Sequence, residues 1–169
     1  MRKLAIFFLL LSNVFLANGQ DKFAMHIVDV CQTLNFELTT DGIIQLESPD
    51  SVLLKEFKRC TNEPELAQLE KLNFKSIEEV KIAKIKSIKS RNSIYDRITC
   101  QQWIFGTTQQ ANDFSRILEQ INKEDAQFCI NKGGLDWWKE DNSIFVLTSR
   151  AYVSTFKYGD IRNIFVKNK

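Results

Sequence analysis

The sequence predicts a single α+β domain in which an antiparallel sheet of about 4–5 strands is covered by helices and stabilised by disulfides. Three observations predict it. Apolar residues recur at helical spacing near both ends and in one central stretch. Residues 77–105 are rich in Ile, Val, Thr and aromatics, with no Gly or Pro to break them. Four cysteines follow an apolar leader, and an even count in an exported chain reads most simply as two disulfides. The 169 residues, 44% hydrophobic and 26% charged, suit one globular domain and are short for two. Gly 6 and Pro 2 exclude collagen-like or linker-dominated chains.

The leader comes first. Arg2 and Lys3 precede an apolar run from Leu4 to Ala17, interrupted by Ser12 and Asn13 and followed by Asn18 and Gly19. A run of about 14 residues reaches roughly 21 Å as a helix, short of the roughly 30 Å of a bilayer core, so it reads as a signal peptide rather than an anchor. Ala17 and Gly19 have the small side chains that a signal peptidase accepts, which divides the chain into a signal peptide, 1–19, and a domain, 20–169. The expected location is the periplasm or the exterior, with no stable membrane insertion after cleavage. Removing the leader takes away Arg2 and Lys3 and no acid, so the formal charge of +2 disappears. A balanced charge argues against nucleic acid or a general membrane surface as the partner.

From Lys22, the residues Phe23, Ile27, Val30, Cys31 and Leu34 recur at three- and four-residue spacing, which predicts an amphipathic helix ending near Leu38, before Thr39-Thr40-Asp41-Gly42. Ile43 to Leu46 fits a short strand. Ser48-Pro49-Asp50 opens a second helix, to about Cys60, that buries Val52, Leu53 and Phe57, and Asn62-Glu63-Pro64 opens a third with Leu66, Leu69 and Leu72 as its stripe. Val80 to Lys89 is then the first arm of a hairpin. Val80 and Ile82 share one parity and Ile85 the other, so a bulge is expected near Ala83. The turn falls near Arg91-Asn92-Ser93. The returning arm carries Ile98 and Cys100 on one face and Trp103 and Phe105 on the other.

Gly106-Thr107-Thr108 ends that arm and caps a helix whose stripe is Ala111, Phe114, Ile117, Leu118 and Ile121. Phe128 to Ile130 fits a short strand. Leu135 to Lys139 and Ser143 to Thr148 form a hairpin around Glu140-Asp141-Asn142, which Tyr152 to Phe156 extends. Tyr158 to Val166 closes the chain as a helix with Ile161, Ile164 and Phe165 turned inward.

Cys31 and Cys60 are separated by the same number of residues as Cys100 and Cys129, so sequential pairing is the expectation among the three possible connectivities. Each bond would contribute on the order of 3–4 kcal/mol. There is no Cys-x-x-Cys and only one His, so no metal site is expected, and no motif calls for a cofactor.

Two features stand out as binding candidates. Trp137 and Trp138 are adjacent in a predicted strand, so one should enter the core while the other faces solvent or a cleft. Lys81, Lys84, Lys86, Lys89 and Arg91 form a cationic run without an acid among them. Such a run protects an edge strand from aggregation or docks an acidic partner. His26 is the only possible histidine base, and it falls on the polar side of its helix near Asp29. No motif places a nucleophile beside it, and no catalytic residue is assigned.

The expected function is therefore that of a small exported, non-enzymatic binding module with a protein partner in the cell envelope, for example in toxin neutralisation or support of an envelope complex. The alternative is a cell-wall or glycan-directed enzyme, or a carbohydrate-binding domain. It would use Trp137 and Trp138 with the carboxylates Asp136, Glu140 and Asp141.

Overall fold

The computed structural model describes residues 21–47, 72–88, 97–123, 135–149 and 157–167. Helix α1 (Lys22–Leu34) leads into strand β1 (Phe36–Glu47). A 3₁₀ turn at Phe74–Ser76 precedes β2 (Ile77–Ser87), which is followed by β3 (Arg97–Phe105) and helix α2 (Thr108–Lys123). Strands β4 (Leu135–Glu140) and β5 (Ser143–Ser149) precede the final helix, α3 (Tyr158–Lys167). The strands form one antiparallel sheet in the order β1-β2-β3-β5-β4. This is the α+β architecture expected. The predicted helices over 48–72, the strand at Phe128–Ile130 and the extension at Tyr152–Phe156 lie outside the described residues, apart from Leu72, which is buried.

Local chemistry sets the boundaries of the elements. The Asp21 side chain accepts a hydrogen bond from Phe23 N at 3.1 Å and caps α1. The helix stops at Leu34, four residues sooner than its apolar spacing suggests. Asn35 takes the left-handed conformation, with φ 58° and ψ 46°, and donates its N–H to Cys31 O. Phe36 to Leu38 thus belong to β1, which runs on through a register irregularity between Leu38 and Ile43. Gly42 lies inside it at φ +67°, a conformation that costs glycine little. Thr107 and Gln110 cap α2 reciprocally: Gln110 N donates to Thr107 Oγ1 at 3.2 Å, and Thr107 N donates to Gln110 Oε1 at 2.9 Å. A Cβ on Gly106 would meet the carboxylate of the exposed Glu78, the far end of a side chain that can swing aside.

Both faces of the sheet are packed. Along β5, Ile144 and Val146 point to one face, with Val80, Trp103 and Phe105 and with Ala111, Phe114 and Leu118 of α2. Phe145 and Leu147 point to the other, with Ala83, Ile85, Ile98 and Cys100. They meet Phe23, Ile27 and Val30 of α1 and Tyr158, Ile161 and Phe165 of α3 there. This arrangement corrects the bulge expected near Ala83. Val80 and Ile82 face α2 while Ala83 and Ile85 face α1, so both parities are apolar because both sides are covered; the register shift of β2 lies between Ile77 and Glu79.

Candidate functional site

The two tryptophans part company as strand geometry requires. Trp138 is 4% exposed in the layer under α1 and α3. Its ring stacks on Phe145 at 5.1 Å between centroids and meets Phe165 edge-on at 5.5 Å, and the Arg162 guanidinium stands 5.7 Å from its centre. Trp137 faces the other way, half-buried against the margin of the α2 cluster. Trp138 is the member of the pair that enters the core, and Trp137, on the opposite face, is half-buried. β4 thus touches a packed layer on each side, Trp138 within one and Trp137 at the margin of the other.

The carboxylates near this pair have structural partners. Asp136 Oδ1 accepts from Trp137 N at 2.9 Å and lies 3.7 Å from Arg162. Asp141 is exposed in the two-residue turn between β4 and β5, with φ 47°, and its carbonyl accepts from Lys139 Nζ at 3.2 Å. Asp136 and Glu140 share the parity of Trp138, whose faces are already occupied, so no open aromatic platform stands beside them.

His26 is half-buried rather than on a solvated helix face. Its ring lies 4.8 Å from Phe165 of α3, and Nδ1 has no hydrogen-bond partner among the described residues. Burial lowers its pKa from 6.5, against the opposing pull of Asp29 and Glu140, while Lys22 adds to the lowering. Tyr158 hydrogen-bonds Ser149, and burial pushes its hydroxyl pKa upward.

The lysine run does not lie on an edge strand: β2 is flanked by β1 and β3. Lys81 turns towards α1 and pairs with Asp21 at 3.0 Å and Glu79 at 3.7 Å. Lys84 and Lys86 turn to the α2 face and pair with Asp41 at 3.3 Å and Glu37 at 2.9 Å. Each described lysine of the run is thus matched by an acid from the start of α1, from β1 or from β2 itself, which sequence proximity did not reveal. Lys89 and Arg91 lie outside the described residues.

Register brings together residues that the sequence keeps apart. The Ile44↔Ile82, Ile82↔Gln101, Gln101↔Val146 and Val146↔Trp137 pairs form one row across all five strands on the α2 face. The next row carries Lys84, Thr99, Thr148 and Leu135, and the row beyond it Glu37, Lys86 and Arg97. Helix α2 lies over β3, β5 and β4, and its cluster ends at the partly buried Ile82 and Trp137. Compared with protein-family models, curated proteins and solved structures, the chain matches none. The surface must therefore be read from its own chemistry. Ile44 and Ile82 at one end of the row and Trp137 at the other are half-buried, with the buried Gln101 and Val146 between them; Thr99 and Thr148 in the next row are half-buried, and Lys84 and Arg97 are exposed.

Among the described residues no group of three or more His, Cys, Asp or Glu side chains is placed to hold a metal, and no helix is long and apolar enough to cross a membrane. Cys31 and Cys100 are free thiols in this structure; Cys60 and Cys129 lie outside the described residues.

Proposed function

We propose that the protein is an exported, disulfide-stabilised binding module, without catalysis of its own, that meets a protein partner in the cell envelope. The contact is made by the part of the sheet face beyond α2, with Trp137 as its anchor and Ile44, Ile82, Thr99 and Thr148 around it. The observation that carries this reading is the register itself: it sets a half-buried Trp137 on β4 at the end of the row Ile44, Ile82, Gln101 and Val146, on the sheet face whose following rows carry Lys84, Lys86 and Arg97 on β2 and β3. Protein interfaces are enriched in Trp and Arg, and a Trp at the edge of a packed cluster already has one side fixed before a partner arrives. The leader at residues 1–19 supplies the route of export.

Lys84 and Lys86 have acidic partners within the domain, so apolar contact rather than net charge supplies the affinity. Capture from an envelope extract with the full chain, processed by the host, tests this. A stoichiometric protein partner is expected that resists salt, is lost with Trp137→Ala, and is retained with Arg116→Ala on the outer side of α2. Binding unaffected by Trp137→Ala in a folded variant, or capture of glycan in place of protein, overturns it.

A further inference from the structure

The two outermost of the described strands, β1 and β4, are finished differently. β1 is interrupted by its register irregularity between Leu38 and Ile43, with Gly42 at φ +67°, a distortion that discourages a further strand. β4 keeps one continuous register with β5 from Leu135 to Glu140. Which of its backbone groups point outward follows from the alternation of the ladder. Phe105 N donates to Asn142 O at 2.9 Å, so the residues bonded between β3 and β5 are Trp103 with Ile144 and Gln101 with Val146. Ser143, Phe145 and Leu147 therefore turn their backbone groups to β4, where they meet Glu140, Trp138 and Asp136. The backbone N–H and C=O groups of Leu135, Trp137 and Lys139 are left on the outer edge. The middle N–H of these three is already taken: Trp137 N donates at 2.9 Å to Asp136 Oδ1. Arg162 of α3 stands 3.7 Å from the same oxygen while its guanidinium covers Trp138. A strand added to a six-residue edge needs the N–H at its middle, so this carboxylate obstructs addition in any register.

We propose that the outer edge of β4 is a strand-addition surface for a second copy of this chain, and that Asp136, tethered by Arg162, holds it shut. The edge is its own complement. Leu135, Trp137 and Lys139 are spaced evenly about Trp137, so a two-fold axis there sets Trp137 opposite itself and Leu135 opposite Lys139. Every outward N–H then meets an outward C=O. The adjacent two-fold registers set carboxylates against each other. One centred on Asp136 sets that residue against its own copy, and one centred on Trp138 sets Asp136 against Glu140. The register about Trp137 avoids both. Pairing stops at the dimer, because the interrupted strand β1 is then the outermost described strand of each copy. It needs neither export nor a protein partner from the envelope.

The full chain, produced in an exporting host, and its variants are compared by sedimentation velocity over increasing concentration, with circular dichroism reporting that each is folded. The wild type is expected to remain monomeric and Asp136→Ala to form dimers. Lys139→Pro removes an outward N–H that β5 does not use. Combined with Asp136→Ala it should restore the monomer, while Lys139→Ala in the same background should leave the dimer intact. A folded Asp136→Ala chain that stays monomeric, association that survives Lys139→Pro, or assemblies larger than a dimer overturn the proposal. So does a wild type that dimerises as strongly as Asp136→Ala. Amide hydrogen exchange followed by NMR tests the guard in the wild type, without any substitution. After correction for intrinsic rates, Trp137 N–H should exchange roughly tenfold more slowly than the outward N–H of Lys139, and equal rates overturn the role of Asp136.

Discussion

Trp137 and Trp138 are neighbours in the chain, but they belong to sheet faces with different roles. On the face of Trp138, α1 and α3 together close over the sheet, and even the charged Arg162 is drawn in as a cover for the indole. On the face of Trp137, α2 closes over one part of the sheet and the cluster ends in half-buried side chains. A single residue of displacement in a strand thus separates a residue that holds the fold from one that is available for recognition. The comparison also explains why the lysine run is a poor electrostatic lure. Lys81 helps fasten α1 to the sheet, and Lys84 and Lys86 fasten β1 to β2.

The sharpest way to break this comparison is truncation of each ring in turn. Trp138→Ala should cost about 3–5 kcal/mol in urea unfolding, as expected for a large aromatic removed from a packed core. Trp137→Ala should cost less than half as much, because its ring is only partly enclosed. Equal losses would mean that the two faces are closed to the same degree, and the recognition role of the α2 side would fail.

A smaller effect should appear with pH on the closed face. The pKa of His26 is lowered from 6.5 by burial, so below about pH 6.5 the unfolded chain takes up a proton that the folded chain resists, and stability falls as the pH drops through that range. Asp29 and Glu140 oppose the shift, and Lys22 adds to it. Melting temperatures measured from pH 7 to pH 5 should therefore decline more steeply for the wild type than for His26→Gln. Parallel curves would place His26 in solvent.

The smallest effect belongs to the paired lysines. Lys84 and Asp41 are each about half exposed (48% and 52%), and such pairs contribute about 0–1 kcal/mol. Lys84→Gln should leave stability within that range, and added salt should remove the difference. A loss above about 2 kcal/mol would show that the charge is anchoring more than β1.

Much of the fold is legible in the sequence because local chemistry and long-range packing agree. Gly106-Thr107 and the stripe from Ala111 to Leu118 fix α2 without reference to the rest of the chain, and the assignment of Ile98 and Cys100 to one face of β3 with Trp103 and Phe105 on the other is what register imposes. The misreadings share a cause. The end of α1 depends on Asn35 adopting a left-handed conformation, which apolar spacing does not encode. The mixed parity of β2 suggested a bulge because a second covering layer is invisible in a single strand. The candidate surface was harder still to foresee, since Trp137 joins Ile82 only through Gln101 and Val146 on two intervening strands.

The order of the strands also has consequences for how the chain reaches this state. Among the described strands, β2–β3 and β4–β5 join strands close in the sequence, while β1–β2 and β3–β5 each bridge a longer stretch, residues 48–76 and 106–142. Contacts between nearby residues carry a small loop-closure cost and form early, while the two long junctions must wait. The two local hairpins, β2–β3 and β4–β5, meet along one seam, β3–β5. It is sealed at the hairpin tip, where Asn142 Nδ2 donates to Phe105 O at 2.7 Å and Phe105 N donates to Asn142 O at 2.9 Å. That seam and the β1–β2 pairing are the two long closures on which the folding speed of the described sheet depends.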